Sequence, residues 1–175
     1  MHAEATANSK FDQVLAELSK VSERQARFKE TRQISFLTDA LHSKGKLLYK
    51  RPDYIYKETT SPTRESYEVK NALLTATTSN GERHELLLNN YPVLESFVNA
   101  YRGVLAGDKA LLLYYYDVDF SGNRQSWVIT LTPKDEEAQL HVEKMSVTGK
   151  HNHLVKITTY ETGGDVTIMD IFDIQ

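Results

Sequence analysis

The chain has 175 residues, 40% hydrophobic and 26% charged, with 21 basic and 24 acidic side chains and a net charge of −3. That length allows one domain with a substantial core, and the charge balance gives no footprint for nucleic acid or an anionic membrane. The absence of cysteine excludes a disulfide framework and any thiolate nucleophile or thiolate metal site.

The first residues, MHAEATANSK, are small and polar. They read as the start of a mature exported chain whose signal peptide has been removed, with residues 1–8 a flexible N-terminus and 9–175 a single domain. Phe11, Val14, Leu15 and Leu18 recur at helical spacing, so residues 9–21 are expected to form an amphipathic helix. From Glu23 the chain is charged, with Ala26 and Phe28 alternating, which predicts a partly exposed strand. Further strands are expected at 45–50, 53–59, 64–78 and 82–88, with Asn80-Gly81 making a tight hairpin turn between the last two.

A second helix is expected from Pro92 to Leu105. Leu94, Phe97, Val98, Tyr101, Val104 and Leu105 form its apolar stripe, Pro92 suits its first turn and Gly107 ends it. Strands are then expected at 110–118, 124–132, 138–148, 153–161 and 165–174, with turns at Ser121-Gly122-Asn123, Pro133, Gly149 and Gly163-Gly164. Connections this short imply antiparallel neighbours, and so many consecutive strands must curl or split into two sheets. The longest apolar run, Ala110–Tyr116, is far short of the ~18 residues that cross a membrane as a helix.

Two segments, ELLLNN at 85–90 and ALLLYYYDV at 110–118, place bulky apolar groups on both faces. A strand of that kind is covered on both sides. With two helices to cover it, a curled sheet either fills its concave face with side chains or leaves an apolar cavity there.

Candidate chemistry is sparse. Asp117, Asp119, Ser121 and Gly122 mimic the start of a calcium loop, but its twelfth position is Val128 where a bidentate Glu is needed, so a polar hairpin turn is the better reading. His151 and His153 have the spacing of two ligands on one strand face, with no third ligand nearby. There is no G-x-S-x-G elbow, phosphate-binding glycine loop or H-E-x-x-H. Pairs such as Glu136-Glu137 and Asp170/Asp173 read as solvated surface. No catalytic residue, metal or cofactor is expected. Lys50-Arg51-Pro52 remains: Arg51 sits at a bend, either solvated or using its guanidinium fork to hold carbonyl groups of another element.

Phe28, then GKLLYKRP at 45–52, then Ser61-Pro62, resembles the pattern of the LolA family, periplasmic carriers of outer-membrane lipoproteins. Ser79-Asn80-Gly81, the strand Trp127–Lys134 and Gly164-Asp165-Val166-Thr167 are similar to later family features, so the likeness spans about 11–175. It implies a mainly β fold: a strongly curved, incomplete antiparallel β-barrel with helices capping the concave side. It implies a soluble, monomeric periplasmic protein that binds a lipid or acylated lipoprotein in an apolar cavity and shuttles it toward the outer membrane, between an inner-membrane donor and an outer-membrane acceptor. It assigns Arg51 a lid or gate role.

The candidate cavity lining is Phe28, Leu47, Tyr49, Ile55, Lys57, Leu86, Leu88, Leu94, Phe97, Val98, Tyr101, Leu113, Tyr115, Trp127 and Ile129. The lid candidates are the second helix and the loop Ser35–Ser43. Lys57 stands where relatives commonly have tryptophan; either it faces the cavity or Tyr54 and Tyr56 do. The chain ends after a strand, where LolA proteins proper continue, which points to a LolA-like relative with a different lipid or acylated cargo. The same fold family hosts a cofactor-independent enzyme and a domain of an anti-sigma regulator, so an enzyme or a sensor module is the alternative.

Overall fold

The computed structural model describes residues 2–174. The first half runs α1 (His2–Ser19), β1 (Glu23–Gln33), β2 (Leu41–Lys50), β3 (Tyr54–Ser61), β4 (Glu65–Lys70), β5 (Leu73–Thr77) and β6 (Arg83–Leu87). A short 3₁₀ turn, Leu88–Asn90, leads into α2 (Pro92–Ala106) and α3 (Lys109–Tyr115). Then follow β7 (Tyr116–Asn123), β8 (Ser126–Pro133), α4 (Glu136–Gln139), β9 (Val142–Lys150), β10 (His153–Glu161) and β11 (Val166–Asp173).

All eleven strands form one antiparallel sheet, ordered β6-β5-β4-β3-β2-β1-β11-β10-β9-β8-β7. Hairpins build two wings, and the pairing of β1 with β11 joins them. The sheet is mainly β, curved and not closed into a barrel, with β6 and β7 as its edges. Gly81 and Gly164 take left-handed φ angles of 86° and 94° in the expected hairpin turns, and Gly107 caps α2 at φ 64°.

Several expectations change. The run at 110–118 is α3 followed by β7: the Asp108 carboxylate accepts the Leu111 N–H at 3.0 Å and caps a helix, where the apolar run alone does not distinguish helix from strand. The strand expected over 64–78 is broken into β4 and β5 by Asn71, whose side chain tolerates its left-handed φ of 53°. The first helix extends back to His2, through most of the segment expected to be a flexible terminus. Gly149, expected in a turn, lies inside β9, where a Cβ would come within 2.1 Å of the Trp127 ring. The described residues form four α-helices rather than two, and α4 takes the start of the strand expected over 138–148, because the Asp135 carboxylate caps it by accepting the Ala138 N–H at 2.9 Å.

The core has two parts. The larger packs Phe11, Val14, Leu15 and Leu18 of α1 with Ala100 and Val104 of α2, Leu112 of α3, and Trp127, Ile129, Leu131, Met145 and Val147 of β8 and β9. The smaller gathers Val69, Leu74, Leu88 and Val98, with Ile55, Leu86 and Leu94 against it. Since α2 contributes to both, it spans the concave face from one wing to the other. Its first turns are pinned by Tyr116, whose hydroxyl donates to the Ser96 carbonyl at 2.9 Å and accepts from the Ser96 hydroxyl at 3.1 Å.

Burial pushes the Tyr116 phenol up to about 12, with the Ser96 hydroxyl bond opposing the shift. The unfolded chain therefore loses this proton first, near pH 10, so the contribution is complete below about pH 10 and is lost as pH rises through 12. We expect roughly 2–3 kcal/mol of stability to disappear over that window from this group alone. Urea unfolding from pH 8 to 12 checks this: Tyr116→Phe flattens the alkaline slope, and an unchanged slope excludes the assignment.

Candidate functional site

The concave face is set by register. Arg24 lies opposite Tyr49, and Ala26 opposite Leu47, across β1 and β2. Leu47 lies opposite Lys57, and Tyr49 opposite Ile55, across β2 and β3. Directly paired residues share a face, so these side chains all point inward. α2 lays Tyr101 and Leu105 over them, and Ile157, Met169 and Ile171 close the far wall. The result is an enclosed apolar cavity of about 110 Å³. Small-molecule sites run from about 300 to 1,000 Å³, so this cavity holds only part of such a ligand. A larger, open hollow of about 510 Å³ lies among Arg27, Lys29, Lys44 and Lys46 on the convex face. It is the more open of the two and four basic side chains border it, so the cavity beneath α2 is the better candidate for an apolar ligand.

Of the lining candidates, Leu47, Tyr49, Ile55 and Tyr101 meet at this cavity. Leu86, Leu88, Leu94 and Val98 belong to the smaller core cluster. Phe28, Trp127 and Ile129 are fully packed in the larger core, with Phe97 and Tyr115 against it. Leu113 lies on α3 and is 43% exposed, because the helix turns it away from the sheet.

Lys57 faces inward beside Leu47, and Tyr54 and Tyr56 take the opposite face. Its ammonium is not left bare: Nζ is 2.9 Å from Glu30 Oε2 and 4.9 Å from the centre of the Phe28 ring. Tyr54 donates to Glu68 at 2.8 Å, and desolvation, helped by that carboxylate, pushes its phenol up to about 12.

The covers are tied down by polar bonds at one end of the cavity. Arg51 lies in the turn between β2 and β3; its guanidinium donates to the Ser19 carbonyl at the end of α1, and its N–H donates to the Ser22 carbonyl at 2.9 Å. Arg102, on α2, donates from Nε to the Asp53 carbonyl in that same turn at 3.1 Å, and from Nη2 to the Asn71 carbonyl at 2.5 Å. The loop containing Ser35 is held elsewhere, by its N–H on Asp165 at 3.0 Å. Beneath the covers, Arg24 reaches Asp173 at 3.2 Å and also donates to the Asn152 carbonyl. Desolvation lowers the Arg24 guanidinium below its ordinary value, and Asp173 opposes that shift. His153 also contacts Asp173, whereas His151 occupies a turn at φ 52°.

Arg24 and Arg102 did not stand out in the sequence. A lone arginine in a charged strand, or on the flank of an amphipathic helix, reads as solvated, and carbonyl acceptors far away in sequence leave no local signal.

A family profile described as outer membrane lipoprotein carrier protein LolA-like matches residues 3–170. The chain belongs to this LolA-like family. No curated protein sequence matches it significantly. Among solved structures, MucB shares 15% identity at a TM-score of 0.51, over 95% of this chain and 57% of MucB. An outer membrane lipoprotein-sorting protein domain from Vibrio parahaemolyticus shares 8% identity at a TM-score of 0.50, over 94% of this chain and 91% of that one. A LolA superfamily protein from Nitrosomonas europaea shares 13% identity at a TM-score of 0.46, over 95% and 91%. At these identities the first two likenesses bear on the LolA-like fold.

Arg102→Met keeps the apolar stem and removes both carbonyl bonds. We expect the opening free energy of α2 to fall by about 1–3 kcal/mol, read as faster amide hydrogen exchange in α2 while β1, β10 and β11 are unchanged. Exchange in α2 equal to that of the parent protein would exclude Arg102 as a tie.

Proposed function

We propose that this LolA-like protein is a soluble, monomeric periplasmic carrier, not an enzyme. It takes the acyl chain of a lipid or acylated lipoprotein into the cavity beneath α2 and shuttles it toward the outer membrane. The observation that carries this reading is the cavity itself: apolar, enclosed, and roofed by one helix bonded at its rim to a turn of the sheet. The polar groups around it, Arg24, Tyr49 and Tyr101, are suited to binding; burial raises both phenols, so they stay protonated at neutral pH. The family's described role and the likeness of fold support the same reading.

The driving force is acyl burial, at about 0.8 kcal/mol per CH₂. Loading moves α2 away from the sheet, which breaks the Arg102 bonds to the turn at 51–53. Arg51 holds that turn against α1, so it acts as the gate residue on the side of the sheet. A ligand that binds the open form better than the closed form shifts the equilibrium by that difference and no more, which leaves release possible at an acceptor.

Denaturing the purified protein and identifying extracted molecules by mass spectrometry tests the cargo; reproducible acyl species are expected. Arg51→Leu is expected to keep the circular dichroism of the parent protein and to speed release of a bound fluorescent fatty-acyl probe severalfold. Unchanged uptake and release would remove the gate assignment. Failure of the protein to yield acyl species or bind the probe would overturn the carrier.

A further inference from the structure

The walls of the cavity are aliphatic and aromatic except at one place. Arg24 and Tyr49 sit directly opposite each other on β1 and β2, and both line the cavity. The Arg24 side chain is 9% exposed and Tyr49 is 3% exposed. Arg24 Nε and Tyr49 Oη are both buried without a protein partner among the described residues, as is Asp173 Oδ1. A buried donor left unpaired costs about 1–3 kcal/mol, so two of them lining one apolar cavity call for an acceptor from outside the chain.

Charge decides which acceptor. The Arg24 cation is already matched by Asp173 at 3.2 Å, and its other terminal nitrogen is taken by the Asn152 carbonyl. Arg51 is the charge that acts most strongly on Tyr49, but it is solvent-exposed and opposed there by Asp53, so the buried cluster offers hydrogen-bond donors without a spare buried positive charge. A second carboxylate there would share Arg24 with Asp173 and face the bare Asp173 Oδ1, a like-charge contact in a desolvated site. A neutral carbonyl oxygen brings no net charge against Asp173, and it has two lone pairs, one for each donor.

We propose that Arg24 and Tyr49 form the polar anchor of the cavity and bind the ester carbonyl of an acyl ligand. The proposal rests on the carrier reading and narrows it: the cargo is an ester-linked acyl chain, not a free fatty acid. The cavity of about 110 Å³ holds the carbonyl and the first methylenes, and the rest of the chain runs between α2 and the sheet once α2 lifts. In the unloaded protein water takes the donors, and the ester displaces it.

The test is displacement of a fluorescent acyl probe by a methyl ester, the free acid and the alkane of equal chain length, on the parent protein and on Tyr49→Phe. Tyr49→Phe removes only a buried, unpaired hydroxyl, so its melting temperature is expected to be no lower than that of the parent. The ester is expected to outcompete the acid on the parent protein at neutral pH. Tyr49→Phe is expected to weaken the ester by about 2–10-fold, the worth of one hydrogen bond, and to leave the alkane unchanged. Comparing variant with parent cancels the differing water solubilities of the competitors. Equal weakening of ester and alkane, or preference for the free acid, would overturn the anchor and leave the carrier standing. No displacement by any competitor, with no probe bound, would overturn both.

Discussion

An open antiparallel sheet of eleven strands has a concave face too wide to be filled by its own side chains, and most of the structure follows from how that face is covered. α1 packs over the wing that ends in β7, and α2 crosses the middle, reaching the smaller cluster with Val98 and the larger with Ala100 and Val104. Two convex surfaces, a helix cylinder and a row of branched side chains, do not meet perfectly over the central strands. The cavity is the space left where β1, β2, β3, β10 and β11 curve away from Tyr101 and Leu105.

Polar ties add to the apolar packing of the covers. The turn at 51–53 takes part in bonds to both helices, through Arg51 to the end of α1 and through the Asp53 carbonyl to Arg102 of α2. Backbone carbonyls are good acceptors for such a tie, since an arginine can leave them for water at modest net cost. The other end of α2 is different in kind. There Tyr116 and Ser96 are fully buried and exchange two hydrogen bonds, so separating them would strand polar groups away from water.

Much of this was legible in the sequence, for local reasons. Asn80-Gly81 and Gly164 declare hairpins because few residues accept their φ angles, and α2 is visible through its stripe, its proline start and its glycine stop. The segment ALLLYYY was misread because an apolar run carries no period, and only the Asp108 cap separates α3 from a strand. The facing of Lys57 was undecidable from β3 alone, since a one-residue slip inverts a strand; its partner Leu47 settles it. The anchor was invisible for another reason. Arg24 lies in a charged stretch, and its burial arises from the meeting of β1 with β11, a contact between distant parts of the chain.

The size of the closed cavity suits the proposed carrier because it would set a threshold. Lifting α2 exposes side chains such as Tyr101 and Leu105, at about 1.5–3 kcal/mol for each large apolar group, together with the net worth of the two Arg102 bonds. An opening cost of roughly 4–8 kcal/mol is offset by burying about 5–10 methylenes at ~0.8 kcal/mol each. In the proposed carrier short chains would leave the lid down, and long ones would repay its opening with little to spare. A roomy preformed pocket would bind long chains without that deduction and hold them too tightly to surrender. The proposed polar anchor would then act at the inner end of the path, contributing direction and selectivity while the methylenes supply most of the affinity.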